Sequence, residues 1–399
     1  MAGGPRIMQV VASLAVGGAE RVALELAAGM VARGITSELV CARPGGGAPP
    51  TEFERSVMRE AEGRGVRVHR LDFAGPRDRG ARQRFAQLLE ERETTLVHVH
   101  NRPTDWQVVA MCRLLGVPAI YTIHLPYPHT PRQRALYAVT AQAVPAIICV
   151  SRAVADHARV SERVPDSKLH VIYNGLEMSR FTPRPPLARI AKRGELEWAP
   201  DDFVWLCAAR LNEQKGHVYL LDAMDRLPAA SRARLVLAGE GPLAEALESH
   251  RQRLARPDRV TFLGPRRDVP DLLDACDGYA CASIQEGHPL SLLEAMATGT
   301  PVVAPRLPSV VEIADGDTPY LYGPTLAGAA PSHDPADLAE ALYTVEKDAL
   351  AHRARAARGR ARVVSAFSLG SMLDAHEALY RQLAAPRSRV GRALGRLLA

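Results

Sequence analysis

The stretch QEGHPLSLLEAMATGTPVVA (285–304) decides the reading of this chain. Upstream, GYACASI (278–284) is an apolar run of strand length. Downstream, Leu292, Leu293, Met296 and Ala297 recur at helical spacing. Pro289 suits a first helical position, and Gly299 followed by Pro301 is a stop signal. The order is therefore strand, turn, helix. The backbone N–H groups at the helix start point outward with the positive end of its dipole, which suits an anion such as a phosphate. Glu286 lies before that helix and Glu294 about one turn inside it. Carboxylates repel phosphate, so their chemistry here is to accept hydrogen bonds from hydroxyl groups such as those of a sugar.

Three further segments repeat this design. AARLNEQKG (208–216) ends the apolar run Phe203–Ala208 and sets Arg210 and Lys215 across a polar turn. Two cations at a strand exit suit a diphosphate, Arg through its planar fork and Lys as a point charge. LVLAGEGPL (235–243) is a strand closing on Gly239 and Gly241, and VTFLGPRRDVPDLLDACD (260–277) is again strand, turn and helix.

In the order and spacing of these pieces the chain resembles the retaining nucleotide-sugar glycosyltransferases of family 4, the group 1 enzymes of GT-B fold. The resemblance runs from MQVVASLAVGGAERVALELA (8–27) through YTIH (121–124), ICVSRAVADH (148–157) and VIYNGLEMSRF (171–181) to the paired-glutamate loop. It implies an α/β protein of two Rossmann-like parallel-sheet domains facing a central cleft. Residues 1–182 would form the acceptor-side domain, 183–200 a linker and 201–366 the nucleotide-sugar domain. A last helix at 367–383 would return to the first domain, and 384–399 would be a basic tail.

Residue by residue, the resemblance assigns Arg210 and Lys215 to the donor diphosphate. Gly239 and the loop of Gly287, His288, Pro289 and Leu290 fall beside the donor. Glu294 matches the glutamate on the ribose, and Glu286 the one on the donor-sugar hydroxyls. Gly17 and Gly18 match a glycine loop that approaches the diphosphate from the other domain, and His124 a histidine at the junction of donor sugar and acceptor. His288 departs from the family pattern, which has an apolar or aromatic residue there, and so bears on which sugar is carried. Glu286, His124, Arg210 and Lys215 are the expected catalytic group. The implied reaction is transfer from a UDP- or GDP-sugar to an acceptor hydroxyl with retention, in cell-surface polysaccharide or glycan synthesis, with no metal or other cofactor. The alternatives are a nucleotide-sugar epimerase or hydrolase of the same fold, or a non-catalytic scaffold.

Composition agrees. A chain of 399 residues, 47% of them hydrophobic, suits two cores. Apolar strand-length runs at 7–12, 36–41, 66–71, 95–100, 119–124 and 146–150, then at 203–208, 234–238, 260–263, 278–283 and 301–304, alternate with helical patterns. Six cysteines without metal-type pairing fit a reduced, cytoplasmic setting. Ile7–Val16 has the shape of a weak signal peptide, but Gln9 and Ser13 interrupt it, and a first strand feeding a glycine loop uses every residue. No run approaches a membrane span.

Much of the net charge of +6 sits in the tail AAPRSRVGRALGRLLA (384–399), without whose four arginines the balance falls to +2. Interleaved with Val390, Leu394, Leu397 and Leu398, those arginines suit peripheral contact with an anionic membrane face. The arginines between 353 and 362 have little aromatic surface nearby and read as a solvated helix face rather than a nucleic-acid site. Asp315-Gly316-Asp317 reads as a turn, not a metal site. His98 and His100 in VHVHN are read as facing opposite ways along a strand, with His100 and Asn101 toward the acceptor. The loops at 44–51, 72–80 and 101–106 would line the acceptor surface.

Overall fold

The computed structural model describes residues 4–14, 17–42, 49–73, 78–100, 105–126, 130–314, 318–323 and 333–384. Asn101, the Asp315–Asp317 turn, the tail beyond 384 and most of the three acceptor loops lie outside the described residues. Two compact units emerge: Met1–Asn174 with Gly370–Ala399, and Gly175–Leu369.

The first unit runs β1 (Arg6–Val11), α1 (Gly18–Ala32), β2 (Thr36–Cys41), α2 (Glu52–Gly63), β3 (Val68–Arg70), α3 (Arg79–Glu91), β4 (Leu96–Val99), α4 (Asp105–Leu114), β5 (Ala119–Ile123), α5 (Pro131–Ala143), β6 (Ile147–Cys149), α6 (Arg152–Ser161) and β7 (Leu169–Val171). Its seven strands are all parallel, in the order β3-β2-β1-β4-β5-β6-β7. Both faces of such a sheet are covered, so β1, β2 and β4 are buried along almost their whole length, the polar Gln9, Ser37, Glu38 and His98 included. Local chemistry starts the helices. Thr51 with Glu54, and Thr130 with Gln133 ahead of Pro131, form complete capping boxes at α2 and α5.

The second unit runs α7 (Pro186–Glu195), β8 (Phe203–Ala208), α8 (His217–Arg226), β9 (Ala233–Ala238), α9 (Ala244–Arg251), β10 (Val260–Gly264), α10 (Val269–Ala275), β11 (Gly278–Ala280), α11 (Leu290–Ala297), β12 (Val302–Pro305), α12 (Pro308–Ile313), β13 (Tyr320–Tyr322), α13 (Pro335–Lys347) and α14 (Ala349–Ala366). Its six parallel strands lie in the order β10-β9-β8-β11-β12-β13. Trp205 of β8, fully buried, sits opposite Gly278 of β11, where a Cβ would meet the indole at 2.4 Å. That glycine makes room for the core's largest side chain.

In both sheets the strand order reverses beside the first strand, between β1 and β4 and between β8 and β11. Loops on either side of such a switch point diverge and leave a crevice beyond the strands' carboxyl ends. The last helix, α15 (Leu369–Leu383), belongs to the first unit from Gly370 onward. Arg33, the C-cap of α1, pairs with Asp374 and Glu377 of α15 at 2.8 and 2.9 Å.

Residues 183–200, expected as a linker, differ from that reading. They carry α7, which is built into the second unit by its arginines. Arg193 and Arg189 both bond the Asp277 carboxylate, at 2.9 and 2.6 Å, and donate to the carbonyls of Ala275 and Cys276 respectively. Leu187 and Ile190 face outward at 78% and 64% exposure. The helix is amphipathic in the inverse sense, with cations inward and aliphatics outward, so its pattern suggests no core-facing helix. Strands β7 and β13, three residues each, were not anticipated either, being too short to show a period.

Removing one partner of a buried ion pair strands the other charge. Arg193→Ala should therefore destabilise the second unit by about 3 kcal/mol in urea denaturation; a loss below about 0.5 kcal/mol would mean that 183–200 behaves as a linker after all.

Candidate donor site in the second unit

The switch point between β8 and β11 collects the residues singled out in the sequence. After β8 the chain turns through a short 3₁₀ helix, Glu213–Lys215, started by Asn212, whose side chain accepts from the Lys215 N–H at 3.2 Å. Gly216 follows in the left-handed region at φ +62°, where an added Cβ would lie 2.1 Å from the Ala282 carbonyl oxygen. Only glycine lets the β8 loop press so closely on the β11 loop. The two loops are also stitched by the Ile284 N–H donating to the Gln214 carbonyl at 2.9 Å and by Gln214 Nε2 donating to the Gln285 carbonyl at 3.0 Å.

The consequence is an ion pair between residues 71 positions apart. Lys215 Nζ lies 2.5 Å from Glu286 Oε1, with side chains 20% and 6% exposed. Burial alone would lower the Lys215 pKa, but the charge and hydrogen bond of Glu286 outweigh it and raise the pKa above its ordinary value. The ammonium is thus held charged throughout the neutral range. Ser309 Oγ donates to the Glu286 carbonyl at 2.8 Å and fixes the loop from behind.

Arg210, on the same β8 loop, is exposed, and its guanidinium has no partner among the described residues. Its backbone is set by Gly239, at φ +154°, where a Cβ would meet the Ala209 carbonyl oxygen at 2.0 Å. Leu211 N–H donates to the Glu240 carbonyl at 2.9 Å, which holds the β8 and β9 exits together. Gly239 thus acts through loop packing.

Helix α11 begins at Leu290, one residue later than the sequence suggested, with Pro289 as its extended N-cap. The N–H groups of Gly287, Leu290 and Leu292 have no hydrogen-bond partner among the described residues. These are the orphan donors of a helix start. Glu294 is half-buried on the same helix. The His288 ring is 3% exposed and meets Phe367 edge-on, with 5.0 Å between ring centroids. Burial lowers its pKa to about 3, so the ring adds no positive charge.

In the first unit, Gly17 is the extended N-cap of α1 and Gly18 its first residue, at the exit of β1. His124 follows β5 directly. His98 and His100 do not face opposite ways. Their rings lie 4.0 Å apart, because residues two apart on a strand share a face and only neighbours alternate. His100 Nδ1 lies 3.3 Å from His124 Nε2 and its Nε2 lies 2.8 Å from Gln9 Oε1. His98 is bonded to Tyr380 Oη at 2.6 Å and Thr122 Oγ1 at 2.7 Å. Gln9, Thr122 and Tyr380 escaped the sequence reading. The signal was there for Gln9: a glutamine in the middle of an apolar central strand needs buried partners.

Residues 16–180 match the family described as Glycosyltransferase Family 4, and residues 202–348 match Glycosyl transferases group 1. Together these matches span well over half of the chain. The protein belongs to the group 1, family 4 glycosyltransferases. A region of 233 residues, 55% of the chain, is 28% identical to the UDP-Gal:alpha-D-GlcNAc-diphosphoundecaprenol alpha-1,3-galactosyltransferase of Escherichia coli and covers 60% of it. Over 192 residues, 47% of the chain, it is 33% identical to the GDP-mannose-dependent alpha-(1-6)-phosphatidylinositol dimannoside mannosyltransferase of Mycobacterium tuberculosis and covers 46% of that enzyme. The chain therefore matches only about half the length of these relatives. Among solved structures, Anabaena HepE in complex with UDP and glucose superposes with a TM-score of 0.79, at 20% identity, over 95% of this chain and all of that one. The chain thus has the GT-B class of fold, with two Rossmann-like parallel-sheet units.

The two cations of the site differ in structural weight. Arg210→Ala should change stability by less than about 0.5 kcal/mol, whereas Lys215→Ala, which strands the buried Glu286, should cost about 3 kcal/mol in thermal or urea denaturation. Equal stability of the two variants would contradict the buried pair.

Proposed function

We propose that this glycosyltransferase binds a UDP- or GDP-sugar in its second unit and transfers the sugar to an acceptor hydroxyl with retention of configuration. The observation that carries the reading is the convergence at one switch point of Lys215 on Glu286, the unpaired Arg210 and the open N–H groups of α11. Arg210, Lys215 and those N–H groups take the diphosphate, and Glu294 the ribose. Glu286, with one carboxylate oxygen on Lys215, offers the other to a hydroxyl of the donor sugar. As the bond from the anomeric carbon to the phosphate oxygen lengthens, negative charge gathers on the leaving diphosphate. Fixed cations and N–H dipoles stabilise that charge more than they stabilise the ground state. The acceptor oxygen bonds to the anomeric carbon from the face the phosphate leaves, and its proton passes to the departing phosphate oxygen. No separate base and no metal is needed for this sequence. Glu286 orients the sugar and forms no covalent adduct.

The first unit, with Gly17, Gly18 and His124 at its strand exits, is assigned the acceptor side. Both relatives above are named for acceptors attached to a lipid, a diphosphoundecaprenol and a phosphatidylinositol dimannoside. A glycan acceptor on a lipid anchor is the matching class here, and the basic tail would meet the membrane that holds it.

Two outcomes follow. In a thermal-shift panel of UDP-, GDP- and ADP-sugars, one donor should raise the melting temperature equally with and without EDTA. Arg210→Ala should abolish that shift and lower transfer about 100-fold without unfolding the protein; a full shift in the variant, or in no donor for the wild type, would refute the site. Deleting 386–399 should reduce co-sedimentation with anionic liposomes, and unchanged partitioning would sink the membrane contact.

A further inference from the structure

The first unit buries an unusual quantity of polar surface inside a parallel sheet. Gln9 of β1, His98 of β4 and His100 beside it are at most 1% exposed, and His376 and Tyr380 of α15 at most 3%. All of these but His376 lie on one connected hydrogen-bonded path: Thr122, His98, Tyr380, Gln9, His100, His124. Burial holds the imidazoles neutral. The pKa of His98 and His100 is pushed well below the ordinary value, and those of His376 and His124 fall to about 4 and about 3, burial being the largest cause in each. A neutral imidazole donates from one nitrogen and accepts at the other, so each link constrains the next.

The Gln9 amide sets the direction. Its Nε2 donates to Tyr380 Oη at 3.1 Å, which turns the phenol proton toward His98 Nδ1 and leaves His98 Nε2–H to donate to Thr122. Gln9 Oε1 must then accept, so His100 carries its proton on Nε2 and presents a bare Nδ1. Among the described residues the only group on that Nδ1 is His124 Nε2, which must therefore be the donor. With the Gln9 amide so oriented, one assignment of protons satisfies all five links, and turning the amide over would reverse every one of them. The His124 Nδ1 lone pair is left without a partner among the described residues, at the exit of β5.

We infer that Gln9, His100 and Tyr380 are positioning residues that lock His124 as its Nε2–H tautomer, so that Nδ1 accepts a hydrogen bond from a substrate hydroxyl. The tautomer rests on the orientation of the Gln9 amide; its use rests on the transfer reading, in which the first unit takes the acceptor. The C-terminal helix α15 thereby becomes part of the machinery through the single hydroxyl of Tyr380. A substrate lacking the hydroxyl at that place, or bearing only an acceptor there, is disfavoured.

The test is a long-range ¹H–¹⁵N correlation spectrum of the intact protein labelled on histidine, with the His124 signals assigned by their loss in His124→Gln. The wild type should show Nε2 protonated and Nδ1 bare. In Gln9→Glu the carboxylate accepts from both neighbours and holds His100 as the imidazolium, whose Nδ1–H then donates to His124. The His124 proton should move to Nδ1, and kcat should fall about tenfold with nucleotide Kd unchanged. Tyr380→Phe, which keeps the packing and removes only the hydroxyl, should release the amide of Gln9 and give a mixture of both His124 tautomers.

An Nδ1–H tautomer in the wild type, an unmoved proton in Gln9→Glu, or a single Nε2–H form in Tyr380→Phe overturns the inference. So does a moved proton with kcat unchanged. Failure of the transfer reading has a different signature, since a wild type inactive with every donor would still show the Nε2–H tautomer.

Discussion

The contact between Lys215 and Glu286 is the interaction on which the second unit's chemistry depends. It joins the loops after β8 and β11, whose strands are neighbours in the sheet but whose helices leave on opposite sides. A charge of each sign buried at that parting fixes the position of both loops. Gly216 permits the approach, and Gln214 and Ser309 hold the backbones on either side. Around the pair stand Arg210 and the N–H groups at the start of α11, none of them occupied within the described residues. The pair itself is electrically neutral, and the positive surplus comes from what surrounds it. Such an arrangement suits the proposed nucleotide sugar, whose diphosphate is a dianion flanked by hydroxyls.

The first unit solves a different problem with the same sheet order. Its switch point is lined by neutral imidazoles, an amide and a phenol, nearly all buried and hydrogen-bonded to one another, with the His124 Nδ1 lone pair left over among the described residues. Leaving any of them unpaired would cost about 1–3 kcal/mol, so the network is stable only when every proton has its place. This is a constraint of direction rather than charge. One unit arranges fixed charges and the other arranges donors and acceptors, as expected where one ligand is an anion and the other an alcohol.

How far the sequence revealed this depended on the physical signal at each place. Phe203–Ala208 matches the observed strand residue for residue, because a strand buried on both faces leaves an unbroken apolar run; Thr36–Cys41 matches as well, on the strength of its apolar half Leu39–Cys41. The loop AARLNEQKG and the glutamates at 286 and 294 were legible because cations and carboxylates at strand exits have few structural reasons to be there. Helix α7 was hidden by its own chemistry. Its arginines are its core-facing residues, and its three nearby prolines, at 183, 185 and 186, read as open chain although Pro186 begins the helix. His98 and His100 were set on opposite faces although their spacing places them together. Gln9 breaks an apolar run, which speaks against a signal peptide but does not name the partners of a buried amide. Tyr380 lies 371 residues from Gln9, and no local pattern joins them.

The donor diphosphate is proposed to occupy the crevice above Lys215 and Glu286. A crystal structure of the protein with the donor that gives a thermal shift is the most direct test. The diphosphate should lie within hydrogen-bonding distance of Arg210, Lys215 and the N–H groups at the start of α11, with the ribose on Glu294 and a sugar hydroxyl on Glu286. A diphosphate bound away from both cations, with Lys215 and Glu286 paired beside an empty crevice, would contradict the account.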